Sequence, residues 1–163
     1  MPQTPQEAAE ALFAAIPHVI ARDTLEEYGF EGTVQTQQLT QELLSLSLFR
    51  IYWALRATMA PKPRDLVLEA LRRRIRDGWS TDLALDGTDP DEYFSTAEER
   101  RQMYEQAMQR GAGPIDMANE VTALLISNSA VQADDRSKVL GLIIDLVPDE
   151  ELVDLAEEMR GGA

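Results

Sequence analysis

The chain of 163 residues has no cysteine, one histidine and a formal net charge of −14. This length suits a single domain with its own hydrophobic core. Disulfides, thiol nucleophiles and thiolate metal sites are excluded, as is a zinc site built from two or three histidines of one chain. Because phosphate contacts need Lys and Arg, nucleic acid is an improbable general partner for so acidic a chain.

The first helix is predicted to start at Thr4, because Thr4 and Glu7 form a capping box around Pro5 at the first helical position. Pro17 interrupts the apolar pattern that follows. His18, the lone histidine, sits next to it in an apolar run. A partly buried structural histidine is favoured for His18, with a phosphorelay or metal role as the alternative.

The longest apolar-rich segment without Gly or Pro spans residues 36–59. At helical spacing its apolar residues fall on two opposite arcs, and a helix that is apolar on two sides has neighbours on two sides. One arc holds Leu44, Leu48, Ile51, Tyr52, Leu55 and Met59, and the other holds Leu46, Phe49 and Trp53. We expect Leu48 and Trp53 to be buried on opposite sides, and an arc left open to solvent to be the place where a partner docks.

Polar residues break the apolar run of residues 36–59 and argue against a membrane span. Arg50 is one of them, and inside a buried helix it needs a carboxylate partner or a route to solvent. Pairing within the fold is favoured for Arg50, and a ligand-facing arginine in a central cavity is the alternative.

Residues 61–80 carry six bases and three acids, against the acidic trend of the chain. A helix is predicted from Pro63 to a stop at Gly78. Its candidate interaction residues are Arg72, Arg73 and Arg76. Pairing with acids of neighbouring helices is favoured for this basic patch, with DNA, an anionic ligand or the acidic half of a second copy as alternatives.

Residues 79–94 have turn chemistry and predict a flexible loop, followed by a helix capped at Ser95. Trp79, at the start of this loop, is a further candidate interaction residue. The acids of residues 82–92 suggest a cation site, but an EF-hand loop would need oxygen ligands where Ala84 and Tyr93 stand. A solvated loop is favoured over a Ca²⁺ or Mg²⁺ site.

Three further helices are predicted, from Pro114 to about Ser129, through residues 139–147, and from Pro148–Asp149 to a loose end at residues 161–163. No alternating run predicts a strand. The predicted fold is therefore an all-α, single-domain bundle of about seven helices around the central helix 36–59, with residues 1–163 forming the domain.

The predicted function is a non-enzymatic protein–protein interaction module, such as an adaptor, a dedicated chaperone or an inhibitor. A protein partner that is basic would suit the acidic surface, and a homodimer is a further prediction. No cofactor, metal ligand or catalytic residue is predicted. A Mg²⁺-dependent all-α enzyme or small-molecule binder using helix carboxylates is the first alternative, and a nucleic-acid regulator using the Arg64–Arg76 helix is the second. Enzymatic activity stays open, with its absence favoured. No signal-like segment occurs at the start, so a cytoplasmic location is expected.

Overall fold

The computed structural model describes residues 4–18, 20–147 and 149–161, and these ranges are helical without strands. The predicted all-α helical bundle is confirmed. The residues that the structure describes form eight α-helices, namely α1 (Pro5–Ala15), α2 (Arg22–Glu27), α3 (Thr36–Thr58), α4 (Pro61–Asp77), α5 (Pro90–Gln109), α6 (Pro114–Ser127), α7 (Arg136–Leu146) and α8 (Asp149–Gly161). A short 3₁₀-helix (Ala133–Asp135) precedes α7. Within the described ranges, no helix combines the length and apolarity needed to cross a membrane.

Helix α1 begins after Thr4, where the capping box predicted its start. The Thr4 hydroxyl oxygen accepts a hydrogen bond from the Glu7 N–H at 3.1 Å, and the Thr4 N–H donates to the Glu7 carboxylate at 3.4 Å. Helix α3 covers the predicted span, and its last turn closes with the Met59 N–H donating to the Leu55 carbonyl at 2.8 Å. The predicted loose end lies outside the described residues beyond Gly161, and so does Pro148.

Helix α3 contributes side chains to two separate hydrophobic clusters. Leu44, Ile51 and Leu55 pack into the first cluster, with α1, α4, α8 and the segment after α4. Leu46 and Phe49 pack into the second cluster, with α2, α6, α7 and the second half of α5. Both predicted arcs are therefore packed along most of their length.

Trp53 departs from this pattern. Leu48 is half-buried against the first cluster, but the Trp53 side chain is 38% exposed. The expectation that Trp53 is buried is wrong, because the second cluster reaches Phe49 one turn earlier and leaves the end of the arc uncovered.

The segment between α4 and the next helix is shorter than predicted. Helix α5 begins at Pro90, where the Asp89 side chain accepts a hydrogen bond from the Asp91 N–H at 3.0 Å, so the predicted start at Ser95 is wrong. Asp89 and Pro90, which lie within the predicted loop, are instead an N-cap and a proline at the first helical position. Between the two helices, the side chains of Leu83 and Leu85 are buried in the first cluster.

The connection between α2 and α3 is held by acids of the C-terminal half. The Asp135 carboxylate, in a residue only 1% exposed, accepts hydrogen bonds from the N–H groups of Glu31 at 3.2 Å and Gly32 at 3.0 Å. At the end of α2 the Tyr28 hydroxyl donates to the Asp145 carboxylate at 2.6 Å, a bond that, with partial burial, raises the pKa of Tyr28 to about 12.

Candidate functional site

Trp53 borders an apolar cleft of about 240 Å³, here called the Trp53 cleft. Helix α3 forms its floor, the α5–α6 connection forms one side, and α8 contributes the other. The lining residues are Phe49, Arg50, Trp53, Ala54, Met108, Ala112, Pro114, Met117 and Val153. Val153 on α8 is, like Trp53, 38% exposed. The cleft is therefore an apolar surface of the folded chain and not an enclosed void.

The Trp53 ring has an aromatic neighbour and a cationic neighbour, both from its own helix. Its centroid lies 5.9 Å from that of Phe49, which lies 5.3 Å from that of the buried Tyr104. The Arg56 guanidinium lies 5.8 Å from the Trp53 ring centroid. Aromatic and cation–π contacts of this kind fix a ring without covering it. Trp53 is thus a positioned aromatic group with part of its surface open to a ligand.

Arg50 is the one predicted site residue that lines the Trp53 cleft. Its guanidinium donates to the Val147 carbonyl at 2.5 Å and to the Pro114 carbonyl at 3.4 Å. Val147 is the C-cap of α7, so the cation meets the carbonyl end of a helix, where the helix dipole favours positive charge. Arg50 accordingly joins α3 to the start of α6 and the end of α7.

The charges around the cleft are uneven. On α8, Glu150 and Glu157 lie three residues before and four residues after Val153, on the same side of the helix. Both are exposed, and neither forms an ion pair with another of the described residues. The nearby base Arg56 is paired with Glu105 at 3.6 Å. The unpaired charge on the α8 side is therefore negative, while the exposed Arg110 lies between the lining residues Met108 and Ala112 on the opposite side.

The arginines of α4 lie away from the Trp53 cleft. Arg73 pairs at 3.6 Å with Glu69 of the same helix, and Arg76 pairs at 2.6 Å with Asp91 of α5, so only the second contact is a pairing with a neighbouring helix. Arg74 binds Glu10 at 2.8 Å and Asp82 at 3.1 Å. Arg72 is exposed and forms no hydrogen bond or ion pair with any residue that the structure describes.

Trp79, the remaining candidate interaction residue, is only 4% exposed. Its indole N–H donates to the Thr88 carbonyl at 3.1 Å, and its ring centroid lies 5.2 Å from that of Tyr93. Trp79 therefore belongs to the first cluster, where it folds the segment after α4 back on itself.

Three of the five acidic residues in the range 82–92 form side-chain contacts within the fold, and the exposed Asp86 and Glu92 contribute only backbone carbonyls. Asp82 and Asp91 bind arginines of α4, and Asp89 caps α5. Across residues 4–18, 20–147 and 149–161, no group of three or more acidic or histidine side chains is placed to hold a metal ion. The half-buried His18 has its Nε2 atom 2.9 Å from the Phe13 carbonyl oxygen, the structural placement that its sequence context favoured.

A buried polar cluster between α3 and α5 was not predicted. The Arg100 guanidinium donates to the two oxygens of Glu42 at 3.0 to 3.2 Å, and the hydroxyls of Ser45 and Tyr93 are 3.1 Å apart. Burial raises the pKa of Tyr93 and of Tyr104 above the ordinary tyrosine value. The polar character of Glu42 and Ser45 in the middle of α3 was the signal in the sequence that could have indicated this cluster.

The Trp53 cleft offers binding chemistry, since its walls are carbon-rich and its arginine is bound to backbone carbonyls. Comparison with known proteins assigns no role to it: no family model, no curated protein and no solved structure matches the chain.

Proposed function

We propose that this chain is a non-enzymatic interaction module that binds a basic protein segment at the Trp53 cleft. The observation that carries the proposal is Trp53 itself, a positioned tryptophan that stays 38% exposed beside an apolar cleft. Tryptophan is enriched among the residues that dominate binding energy at protein interfaces, since its large ring gains much from desolvation.

The cleft has room for a side chain of the partner. Its volume of about 240 Å³ exceeds the roughly 150 Å³ of a cavity that accommodates benzene. An amphipathic helix that lays its apolar face into a groove is a common way to fill such a space. An aromatic or aliphatic anchor in the cleft would contact Trp53 and Val153 together.

The charge of the chain supports a basic partner. The whole chain has a formal net charge of −14, and the exposed carboxylates of Glu150 and Glu157 flank Val153 on α8. Such a field increases the rate of encounter with a cationic segment and disfavours anionic competitors. A cytoplasmic adaptor, dedicated chaperone or inhibitor would use this combination of apolar anchor and acidic rim.

A designed peptide tests the proposal directly. The probe is an 18-residue amphipathic helix of leucine and lysine, compared with a counterpart that has glutamate in place of lysine. We expect the basic peptide to bind the wild-type chain, the acidic one to fail, and Trp53→Ala to weaken binding at least about tenfold in calorimetry. Ile144→Ala is the matched control, because Ile144 is 47% exposed on α7 and does not line the cleft.

Equal binding of the two peptides, or equal loss from both variants, would refute the proposal. Circular dichroism and urea unfolding of Trp53→Ala establish that the variant is folded. Light scattering over a range of chain concentrations identifies another occupant: a dimer that is lost in Trp53→Ala and kept in Ile144→Ala would assign the cleft to a second copy of the chain.

The alternatives predicted from the sequence receive less support. A Mg²⁺-dependent enzyme would need clustered carboxylates, and the described residues hold no such group. A nucleic-acid regulator would need the arginines of α4, but Arg73, Arg74 and Arg76 are each paired with acids of the chain itself.

A further inference from the structure

A second pocket, of about 80 Å³, opens between α3, α4 and α5 and is here called the Arg72 pocket. It shares only Phe49 with the Trp53 cleft. Most of its wall is apolar or aromatic, from Leu48, Tyr52, Leu68, Leu71, Phe94 and Ala97. A narrow pocket of this kind suits a short apolar chain and not a large ring system, since a benzene-binding cavity is about 150 Å³.

The mouth of the Arg72 pocket has one positive charge without a direct partner. Arg101 lines the pocket but is paired with Glu98, which also lines it, and with Glu105 at 3.0 Å. Arg72 lines the pocket too, is exposed, and forms no hydrogen bond or ion pair with any described residue. Its attraction to the Glu98 carboxylate is Coulombic only, so the guanidinium N–H donors of Arg72 are available to an anion.

The Ser45 hydroxyl adds hydrogen-bonding capacity to the pocket wall. Ser45 is 5% exposed and its oxygen lies 3.1 Å from the Tyr93 hydroxyl oxygen, with either group as donor. The two hydroxyls hold two O–H hydrogens, and the bond between them uses one. Within the described part of the chain neither hydroxyl has a further partner, so one O–H hydrogen stays unused.

We propose that the Arg72 pocket binds a small organic monoanion, namely a short aliphatic chain ending in a carboxylate. The chain would lie against Leu48, Leu68 and Phe94, and the carboxylate would bind the Arg72 guanidinium at the mouth. A guanidinium matches a carboxylate with two parallel hydrogen bonds. Because Glu98 and Arg101 neutralise each other, the mouth has the one net positive charge of Arg72, which matches a monoanion better than a phosphate dianion.

Pentanoate is the probe, and pentanol and pentylamine have the same chain without the negative charge. We expect pentanoate to shift the NMR signals of residues around the pocket, with saturation in the millimolar range, and the alcohol and the amine to bind at least tenfold more weakly. Arg72→Gln should weaken pentanoate binding at least tenfold. Arg73→Gln is the matched control, because Arg73 is the next exposed arginine and does not line the pocket.

A second variant tests occupancy without changing charge. Ala97→Leu places extra carbon atoms in the pocket wall and should abolish pentanoate binding while Arg72 is retained. Urea unfolding shows whether each variant is folded. The proposal fails if pentanol binds as well as pentanoate, if Arg72→Gln and Arg73→Gln weaken binding equally, or if pentanoate causes no shift at tens of millimolar. Loss of pentanoate binding in Trp53→Ala but not in Arg72→Gln would place the ligand in the Trp53 cleft and would also overturn it.

Discussion

Of the ion pairs described above, Glu42–Arg100 is the one whose loss we expect to lower the free energy of unfolding most. The Glu42 side chain is 7% exposed and the Arg100 side chain 20% exposed, and three hydrogen bonds join them. Hydrogen bonding to Glu42 outweighs desolvation and raises the pKa of Arg100. Glu42→Gln would leave a largely buried guanidinium without its counter-charge, and we expect the free energy of unfolding to fall by about 3 kcal/mol in urea titrations.

An exposed pair supplies the control for Glu42→Gln. Glu69→Gln removes the partner of Arg73 on the surface of α4, and its cost should stay within about 0.5 kcal/mol because solvent screens the pair. If Glu42→Gln lowered the free energy of unfolding by less than about 1 kcal/mol, burial would not make this pair more costly to break than an exposed one.

Removal of the hydroxyl should affect the free energy of unfolding differently at the two buried tyrosines, Tyr93 and Tyr104. The Tyr104 hydroxyl is buried and has no hydrogen-bond partner among the described residues, whereas the Tyr93 hydroxyl is bonded to Ser45. An unsatisfied buried polar group destabilises a fold, so Tyr104→Phe should leave the free energy of unfolding unchanged or raise it by about 1 kcal/mol. Tyr93→Phe should lower it by about 1 kcal/mol. Thermal and urea unfolding of both variants measure the contrast, and a reversed order would contradict it.

At the scale of elements, Asp135 ties the connection between α2 and α3 to the start of α7. Burial acts to raise the pKa of Asp135, but hydrogen bonds from Gly32, Glu31 and Lys138 outweigh it and leave this pKa below the ordinary value. The ionised group therefore stabilises the fold above the unfolded-state pKa of about 3.9, and this contribution is lost as the pH falls through the lower folded-state pKa.

Asp135→Asn should lower the free energy of unfolding by about 2 kcal/mol at neutral pH, since an amide N–H₂ group would face a backbone N–H. The difference from the wild type should be constant above about pH 5 and shrink below about pH 4. Urea titrations across this range measure it. Asp134→Asn, at an exposed neighbour, is the control and should show neither effect. If the difference in free energy of unfolding between Asp135→Asn and the wild type grew as the pH fell, the predicted direction of the pH dependence would be wrong.

Elements were predictable where local chemistry and tertiary packing agree. The Thr4 capping box predicted α1, and the apolar-rich run of residues 36–59 without Gly or Pro predicted α3, because both signals are local to these helices. Helix α5 was misplaced at its start, because Ser95–Glu98 resembles a capping box while Asp89 and Pro90 already begin the helix. The sequence does not show which of the two caps, Asp89 or Ser95, begins the helix. The choice depends on the burial of Tyr93 in the first cluster, which is a tertiary contact.

The candidate site was less predictable than the helices. Helical spacing placed Trp53 on the second arc correctly. Its exposure depends on how far along α3 the helices α5 and α6 pack, and no local sequence pattern determines that. Val153 enters the cleft from α8, a hundred residues later in the chain. Arg72 was indicated as an interaction residue by charge alone, whereas its position at a pocket mouth required the packing of three helices.

For the whole molecule, the net charge of −14 predicts a stability that depends on salt. Repulsion among the carboxylates destabilises the compact state, and added salt screens it. The melting temperature should therefore rise by a few degrees between low-salt buffer and about 0.5 M NaCl. MgCl₂ at equal ionic strength should give the same shift, because the described residues form no group that could hold a metal ion. A specific Mg²⁺ site would stabilise the fold beyond the effect of screening. An additional rise with Mg²⁺ in differential scanning calorimetry would reveal such a site.

The arrangement as a single domain, the homodimer and the cytoplasmic location stay predictions. Helix α3 gives side chains to both hydrophobic clusters, so loss of either cluster would expose part of the same helix. We expect the two clusters to unfold together, with coincident urea transitions for the signals of Tyr104 and Tyr93. Separate transitions would indicate two units.

The different surroundings of the two tryptophans have a spectroscopic consequence. Trp79 is buried with its indole N–H bonded, while Trp53 is partly in water and borders the proposed docking surface. Iodide or acrylamide should quench the fluorescence of Trp53 and spare that of Trp79. Occupation of the cleft should then shift the emission to shorter wavelength and protect it from quenching. The chain thus contains its own unlabelled reporter of partner binding, with Trp53→Phe as the blank.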